Sequence, residues 1–307
     1  MGRRHKGKPI HGWLAIDKPL GMTSTAVVTQ VRRLTGAAKV GHGGTLDPLA
    51  TGVLPIALGE ATKTVSYVMD GAKSYLWHVT WGERRSTDDG EGGVVETSER
   101  RPSRSEIEAA LPAFIGEIEQ IPPAFSAVKI DGKRAYDLAR AEVPMELKAR
   151  VVRIDGFRLV EATPEAALFE VHCGKGAYIR ALARDLAAAL GTVGYVSSLR
   201  RTACGPFDEG RTISLDMLED FGHSAASANL VLPVETALDD IPALALTEEE
   251  ARRLQSGQSV SILRLAARSP LPSISAGATV RAMAEGRLVA LARIDGGEIR
   301  PVRVLNL

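Results

Sequence analysis

The 307-residue sequence predicts an α+β protein in which a large mixed domain is followed by a small β-rich one. Three observations carry that expectation. Strand-like and helix-like segments are interleaved without a regular strand–helix–strand rhythm, which argues against a doubly wound parallel sheet. Beyond residue 241 come short β-like pieces (260–263, 279–282, 288–293 and 302–305), separated by Gly, Pro and Asp turns. The chain is also longer than one ordinary domain requires.

Taken in order, residues 12–16 read as a strand closed by the turn at Pro19 and Gly21. Ser24 has the chemistry of a helix N-cap, Val27, Val28, Val31 and Leu34 follow at helical spacing, and Gly36 ends the helix. The apolar run 53–58 reads as a buried strand despite Pro55. Residues 75–81 alternate, with Tyr75, Trp77, Val79 and Trp81 on one face of a half-buried strand. Ser103 and Glu106 form a capping box before Ile107, Leu111 and Ile115, with Pro112 awkwardly placed. Strands are expected at 151–159 and 167–173, and a helix from Tyr178 to Leu190, stopped by Gly191. The segment 121–150 is rich in basic residues and poor in apolar register, which predicts a protruding loop and helix. A linker-like stretch, 231–243, leads to a short helix capped by Thr247 and Glu250 and ended by Gly257. The expected domains are therefore 1–240 and 241–307.

Composition narrows the function classes. With 45% apolar and 24% charged residues the chain can build an ordinary core. No stretch approaches the roughly 20 apolar residues of a membrane helix. The N-terminus lacks the apolar region of a secretory signal, and Lys6 stands where a myristoylation signal wants Ser or Thr, so a cytoplasmic protein is expected. Cys173 and Cys204 fit no paired motif and read as two buried thiols; the six histidines form no ligand ladder, so no metal is expected. Net charge is +1, so any nucleic-acid contact must rest on local patches. The candidates are the arm 3–8, the stretch Lys129–Lys133–Arg134–Arg140, Lys148–Arg150–Arg153 and Arg200–Arg201. Acidic runs such as Asp88–Asp89–Glu91 offset them, and each patch singly reads as a solvated face.

Residues 41–52, GHGGTLDPLATG, are the most unusual stretch. Its glycines permit close approach of a ligand. Asp47 lies between Leu46 and Pro48, whose ring biases it toward extended backbone. A phosphate loop is excluded, because no G-x-x-x-x-G-K-[ST] occurs and Leu46 breaks a G-x-G-x-x-G. An isolated Asp-Pro would be a turn cap, and an isolated His42 a structural histidine.

The combination changes that reading. GHGGTLDPLATGVLPIALGEATK, from Gly41 to Lys63, resembles the catalytic motif of the TruB family of tRNA pseudouridine-55 synthases. Further family-like segments follow in order: Asp17–Lys18–Pro19 with Gly21, Tyr75, the block QIPPAFSAVKIDGKRAYDLAR, KGAYIRALARDL, and LRR ending at Arg201. The resemblance spans roughly residues 10–235, with a weaker match in the tail. Two positions depart from the pattern: Gly43 replaces the usual Thr, and Ser86 replaces a common acidic residue. Both bear on RNA contacts and loop order rather than on the carboxylate.

The resemblance implies a pseudouridine-synthase fold, with a mixed, largely antiparallel central sheet and a PUA-like C-terminal domain. It implies isomerisation of uridine 55 in the T-loop of tRNA, with Asp47 as the catalytic carboxylate. Three courses stay open for Asp47: attack on C1′, removal of the 2′ proton beside an oxocarbenium-like sugar, or addition at C6. The carboxylate must be ionised and shielded from water to act, and burial disfavours the charged form. Arg180 is the cationic partner that the resemblance supplies. Tyr75 is implied as the ring under the flipped uracil, Tyr178 and Leu199 as further walls, and His42 as the group filling the space left by displaced bases. Core packing would also account for Tyr178 and Leu199, and a buried sheet face for Tyr75. Nothing is oxidised and no group is imported, so no cofactor is expected. The implied partner is the T-arm stem-loop of tRNA, bound by a monomer without guide RNA. A non-catalytic tRNA-binding factor and a guide-dependent synthase are the competing readings.

Overall fold

A computed structural model describes residues 7–126, 128–130, 132–141, 143–221, 230–266 and 277–307. The basic arm is described only from Gly7 onward; its residues 3–6 lie outside the described residues.

The large domain is built on a sheet of ten strands among the described residues. They are β1 (Gly12–Lys18), β2 (Val40–His42), β3 (Ala50–Leu58), β4 (Lys73–Trp81), β5 (Gly116–Gln120), β6 (Arg150–Ala162), β7 (Ala166–Cys173), β8 (Gly194–Cys204), β9 (Phe207–Asp208) and β10 (Thr212–Ile213). Their spatial order is β10-β1-β3-β8-β4-β7-β6-β5, with β2 on β3 and β9 on β8. The β1–β10 and β3–β8 pairings are parallel and the others antiparallel, so the sheet is mixed and largely antiparallel as expected.

Sequence pattern follows coverage. β1 and β3 are covered on both faces and therefore read as continuous apolar runs. Leu14 and Ile16 face one cluster with Val27 and Val31 of helix α1 (Ser24–Thr35), while Trp13 and Ala15 face another. β4 alternates because Trp77, Val79 and Trp81 enter the core and Ser74, His78 and Thr80 do not. Trp77 stacks on Phe169 at 4.9 Å between ring centroids. Helices α2 (Val65–Asp70), α3 (Arg104–Ala110), α4 (Ala135–Arg140), α5 (Ile179–Ala189) and α6 (Leu215–Phe221) complete this part.

Several expectations are corrected. Thr23, not Ser24, caps α1 by accepting from Ala26 N, and Gly36 closes it in the left-handed region at φ 68°. The Ser103–Glu106 capping box forms as read, but α3 stops at Ala110, and Pro112 sits in a following 3-10 turn, leaving Ile115 outside the helix. β5 and the central strand β8 have no counterpart in the sequence reading. The segment 231–243 is no extended tether, since residues Val234–Leu238 form a 3-10 turn with Val234, Ala237 and Leu238 buried.

The C-terminal part is a five-stranded sheet of β11 (Ala243–Ala245), β12 (Val260–Ser261), β13 (Thr279–Ala284), β14 (Arg287–Asp295) and β15 (Glu298–Val304), in the order β11-β13-β14-β15-β12. Helix α7 (Glu248–Gln255) carries the expected Thr247–Glu250 capping box. This sheet docks on the back of the large domain: Leu288, Leu291 and Leu305 share one apolar cluster with Trp13, Val53, Ala57 and Phe207. At its edge Lys63 Nζ donates to the Val304 carbonyl at 2.8 Å, and Glu60 accepts from Asn306 N at 2.8 Å.

Candidate active site

Asp47 sits just before β3, whose first residue Ala50 pairs with Leu199 midway along β8, itself opposite Trp77 of β4. Its backbone is held from both sides. Ser24 Oγ donates to the Leu46 carbonyl and accepts from Leu46 N, Gly21 N donates to the Pro48 carbonyl at 2.8 Å, and Ala50 N donates to the Asp47 carbonyl at 3.0 Å. Gly52, at φ 96°, lets β3 pass beside β8, where a Cβ would fall 2.2 Å from the Arg201 carbonyl.

The side chain meets Arg180, whose Nη2 lies 2.9 Å from Asp47 Oδ2. Arg180 projects from the first turn of α5, whose N-cap residue Tyr178 is fixed by Gln120: Tyr178 N donates to Gln120 Oε1 at 3.0 Å. The guanidinium also donates to the Thr87 and Phe125 carbonyls at 2.9 Å each, and its Nη1 lies 3.4 Å from Asp89 Oδ2. One turn on, Arg184 pairs with Asp88 at 3.2 Å and donates to the Ile121 carbonyl at 2.8 Å. Of the acidic run, Asp88 and Asp89 are buried under these two arginines, while Glu91 is exposed. Asp88 holds the left-handed backbone at φ 59°, and burial, opposed by Arg184 and Arg180, pushes its carboxyl up.

A cavity of about 280 Å³ opens at Asp47 and is lined by Tyr75, Tyr178, Arg180 and Leu199 among others. Five of the six residues singled out in the sequence thus meet at one place. His42 does not join them. It lies on β2 opposite Ile56, its Nδ1 buried without a protein partner among the described residues, and burial and then Arg201 lower its pKa. In the protein alone Asp47 is half-open: its side chain is 38% exposed while that of Arg180 is 6% exposed. The protein buries the guanidinium and leaves the carboxylate open toward the cavity.

Four basic residues at or beside this site are not marked as such by the sequence pattern. Arg201, read as half of a surface patch, is buried; it donates to the Val53 carbonyl at 2.8 Å and the Gly44 carbonyl at 3.1 Å and hydrogen-bonds the Tyr75 hydroxyl. Burial pushes that hydroxyl up to about 12 against the pull of Arg201. The signal was available in β8, where Leu199 and Arg201 share a face. Arg200 is drawn into Asp17 by two bonds of 3.0 and 2.9 Å. Lys18 is fully buried, donating to the carbonyls of Met22 at 2.6 Å, Pro19 at 2.9 Å and Pro48 at 3.3 Å. Burial lowers its pKa to about 8, opposed by Asp47 and Glu91. Lys73 lines the cavity while donating to the carbonyls that end α2, including Gly71 at 2.6 Å. Lys148, Arg150 and Arg153 are exposed, as a solvated patch requires. Cys173 and Cys204 are free, buried thiols.

The segment 121–150 holds a short hairpin, Lys129–Ile130 against Lys133–Arg134, and α4. Phe125 meets Tyr136 edge-on at 6.0 Å, and Arg140 lies 4.6 Å over the Tyr136 ring. A second cavity of about 330 Å³ runs between these residues and the other side of Asp47.

A carboxylate at the start of β3, paired with a buried arginine beside a tyrosine-lined cavity, is set in a fold shared with known pseudouridine synthases. The solved H/ACA RNP bound to a substrate RNA containing 2′-deoxyuridine matches 100% of this chain and 92% of its own at a TM-score of 0.74, and its 24% identity makes this a likeness of fold alone. The TruB family pseudouridylate synthase (N terminal domain) model matches residues 32–179, and the tRNA pseudouridylate synthase B C-terminal domain model matches residues 180–239. The tRNA pseudouridine synthase B of Rhodospirillum rubrum is 61% identical and that of Caulobacter vibrioides 52% identical, each over the full length of both chains. The chain belongs to the TruB family of pseudouridine synthases. The two family models meet inside α5, between Ile179 and Arg180, and so divide a single structural unit.

Proposed function

We propose that this chain isomerises uridine to pseudouridine at position 55 in the T-loop of tRNA, flipping the base into the Asp47 cavity. The observation that carries the reading is the 2.9 Å pair of Asp47 with buried Arg180 at the mouth of a cavity shared with Tyr75, Tyr178 and Leu199. The full-length relatives carrying the name tRNA pseudouridine synthase B support tRNA as substrate. In the reaction the N1–C1′ bond breaks, the uracil turns, C5 joins C1′, N1 gains a proton and C5 loses one. Atoms balance within the nucleotide, so the reaction requires neither cofactor nor nucleotide energy source. Glycoside hydrolysis uses two carboxylates because a water must be activated; here water has to be kept out, and one carboxylate suffices. Because Asp47 is open in the protein alone, the RNA itself completes the enclosure.

Tyr75 carries the uracil, held by Arg201, while Tyr178 and Leu199 wall the cavity and His42, neutral in its buried setting, occupies space left by displaced bases. The segment 121–150 acts as a thumb on domain 1–240, and domain 241–307 extends the RNA surface. The enzyme works as a cytoplasmic monomer without guide RNA. Asp47→Asn against wild type, on a T-arm stem-loop tritiated at uridine C5, tests this. Binding is expected to be retained and tritium release abolished. Release by the variant at the wild-type rate, or a wild type active only with an added guide RNA, overturns the reading.

A further inference from the structure

We propose that Ser24 is a positioning residue for the isomerisation, its hydroxyl setting the peptide that aims the Asp47 carboxylate. The inference rests on the reading of Asp47 given above. Ser24 Oγ donates to the Leu46 carbonyl at 3.0 Å and accepts from Leu46 N at 2.8 Å. Ser24 opens α1, yet its hydroxyl does not serve that helix: Thr23 provides the cap, accepting from Ala26 N at 3.1 Å. Thr23 is exposed and Ser24 is 2% exposed. Two adjacent hydroxyls therefore divide the work, one stabilising its own helix and the other reaching a loop 22 positions away.

The geometry explains why this bears on Asp47. The Leu46 carbonyl and the Asp47 N–H belong to one planar peptide, so fixing that oxygen fixes the plane from which the Asp47 Cα leaves. On the other side Ala50 N holds the Asp47 carbonyl at 3.0 Å, and Gly21 N and Lys18 Nζ hold the Pro48 carbonyl at 2.8 and 3.3 Å. The Asp47 side chain, 38% exposed, is not wedged by packing, so its aim comes from this backbone frame and from Arg180. Without the Ser24 hydroxyl, the N–H and C=O of buried Leu46 lose their partner and the peptide turns to find others. A carboxylate displaced from the sugar loses rate, whereas RNA contacts made elsewhere keep binding intact.

The test compares Ser24→Ala with Thr23→Ala and wild type, reading single-turnover tritium release, RNA affinity, melting temperature and hydrogen exchange of residues 46–50. Ser24→Ala is expected to slow release by roughly 10- to 100-fold, the scale of a misplacement near 1 Å, with affinity unchanged and faster exchange at Leu46. Thr23→Ala is expected to lower the melting temperature with its rate and its exchange at Leu46 unchanged. A Ser24→Ala protein that turns over as fast as wild type, or a Thr23→Ala protein equally slow, overturns the role of Ser24 alone. A wild type that releases no tritium overturns the functional reading, and the role of Ser24 with it.

Discussion

Arg180 Nη1 stands 3.4 Å from Asp89 Oδ2, and the two side chains are 6% and 2% exposed. The same guanidinium faces the much more open Asp47 through its other nitrogen. One arginine thus serves a sealed carboxylate and an accessible one, and the two should respond differently to loss of charge.

Removing one partner of a buried ion pair leaves the other without compensation, at about 3 kcal/mol or more. Asp89→Ala is expected to lower unfolding free energy by that order, read from urea midpoints. Asp47→Asn, at a half-open position, should stay within about 1 kcal/mol of wild type. Equal losses in the two variants would contradict this division of roles.

The departure at Gly43 has a steric counterpart. A Cβ there would lie 2.9 Å from Val68 Cγ1, and Val68 is fully buried on α2. Its branched side chain cannot swing aside, so Gly43→Thr is expected to destabilise by about 1–3 kcal/mol through overpacking. In the Val68→Ala background the same change should cost less, with a coupling of about 0.5 kcal/mol or more in the double-mutant cycle. Strict additivity would show that Val68 is not the obstacle.

Lys18 makes stability depend on pH. Its folded pKa, near 8, lies below the unfolded 10.5, so between those values the unfolded chain binds more protons and stability rises with pH. Below pH 8 the full cost of burying the ammonium is present. Relative to Lys18→Met, wild type should gain on the order of 2–3 kcal/mol as pH goes from 7.5 to 10.5, at 1.36 kcal/mol per pKa unit. Parallel urea-stability curves for the two proteins would refute the assignment.

The docked C-terminal sheet offers a further check. Lys63 bonds Glu60 at 2.7 Å and the Val304 carbonyl at 2.8 Å, while Glu60 accepts from Asn306 N. Glu60→Gln with Lys63→Met should speed hydrogen exchange over residues 302–306, while β3 keeps its wild-type protection. Unchanged exchange at 302–306 would mean that the apolar cluster alone seats the sheet.

The sequence by itself determined what depends on near neighbours. The Ser103 and Thr247 capping boxes, the glycine stop at Gly36 and the period-two face of Trp77, Val79 and Trp81 all arise within a few residues of chain. The motif around Asp47 was readable for a related reason: its chemistry lies in contiguous residue types. Tertiary structure alone decided which distant groups meet. Strand β8 is central only because β3 and β4 flank it, so its adjacent Arg200 and Arg201 read from sequence as a surface patch. Arg201, Lys18 and Asp89 carry charges that a residue count assigns to solvent, yet each is buried where backbone carbonyls or an opposite charge replace water. Ser24 looked like a cap because local propensity cannot reveal a partner 22 residues away. Propensity and pattern act along the chain, whereas burial and pairing are properties of the folded surface that closes around each group.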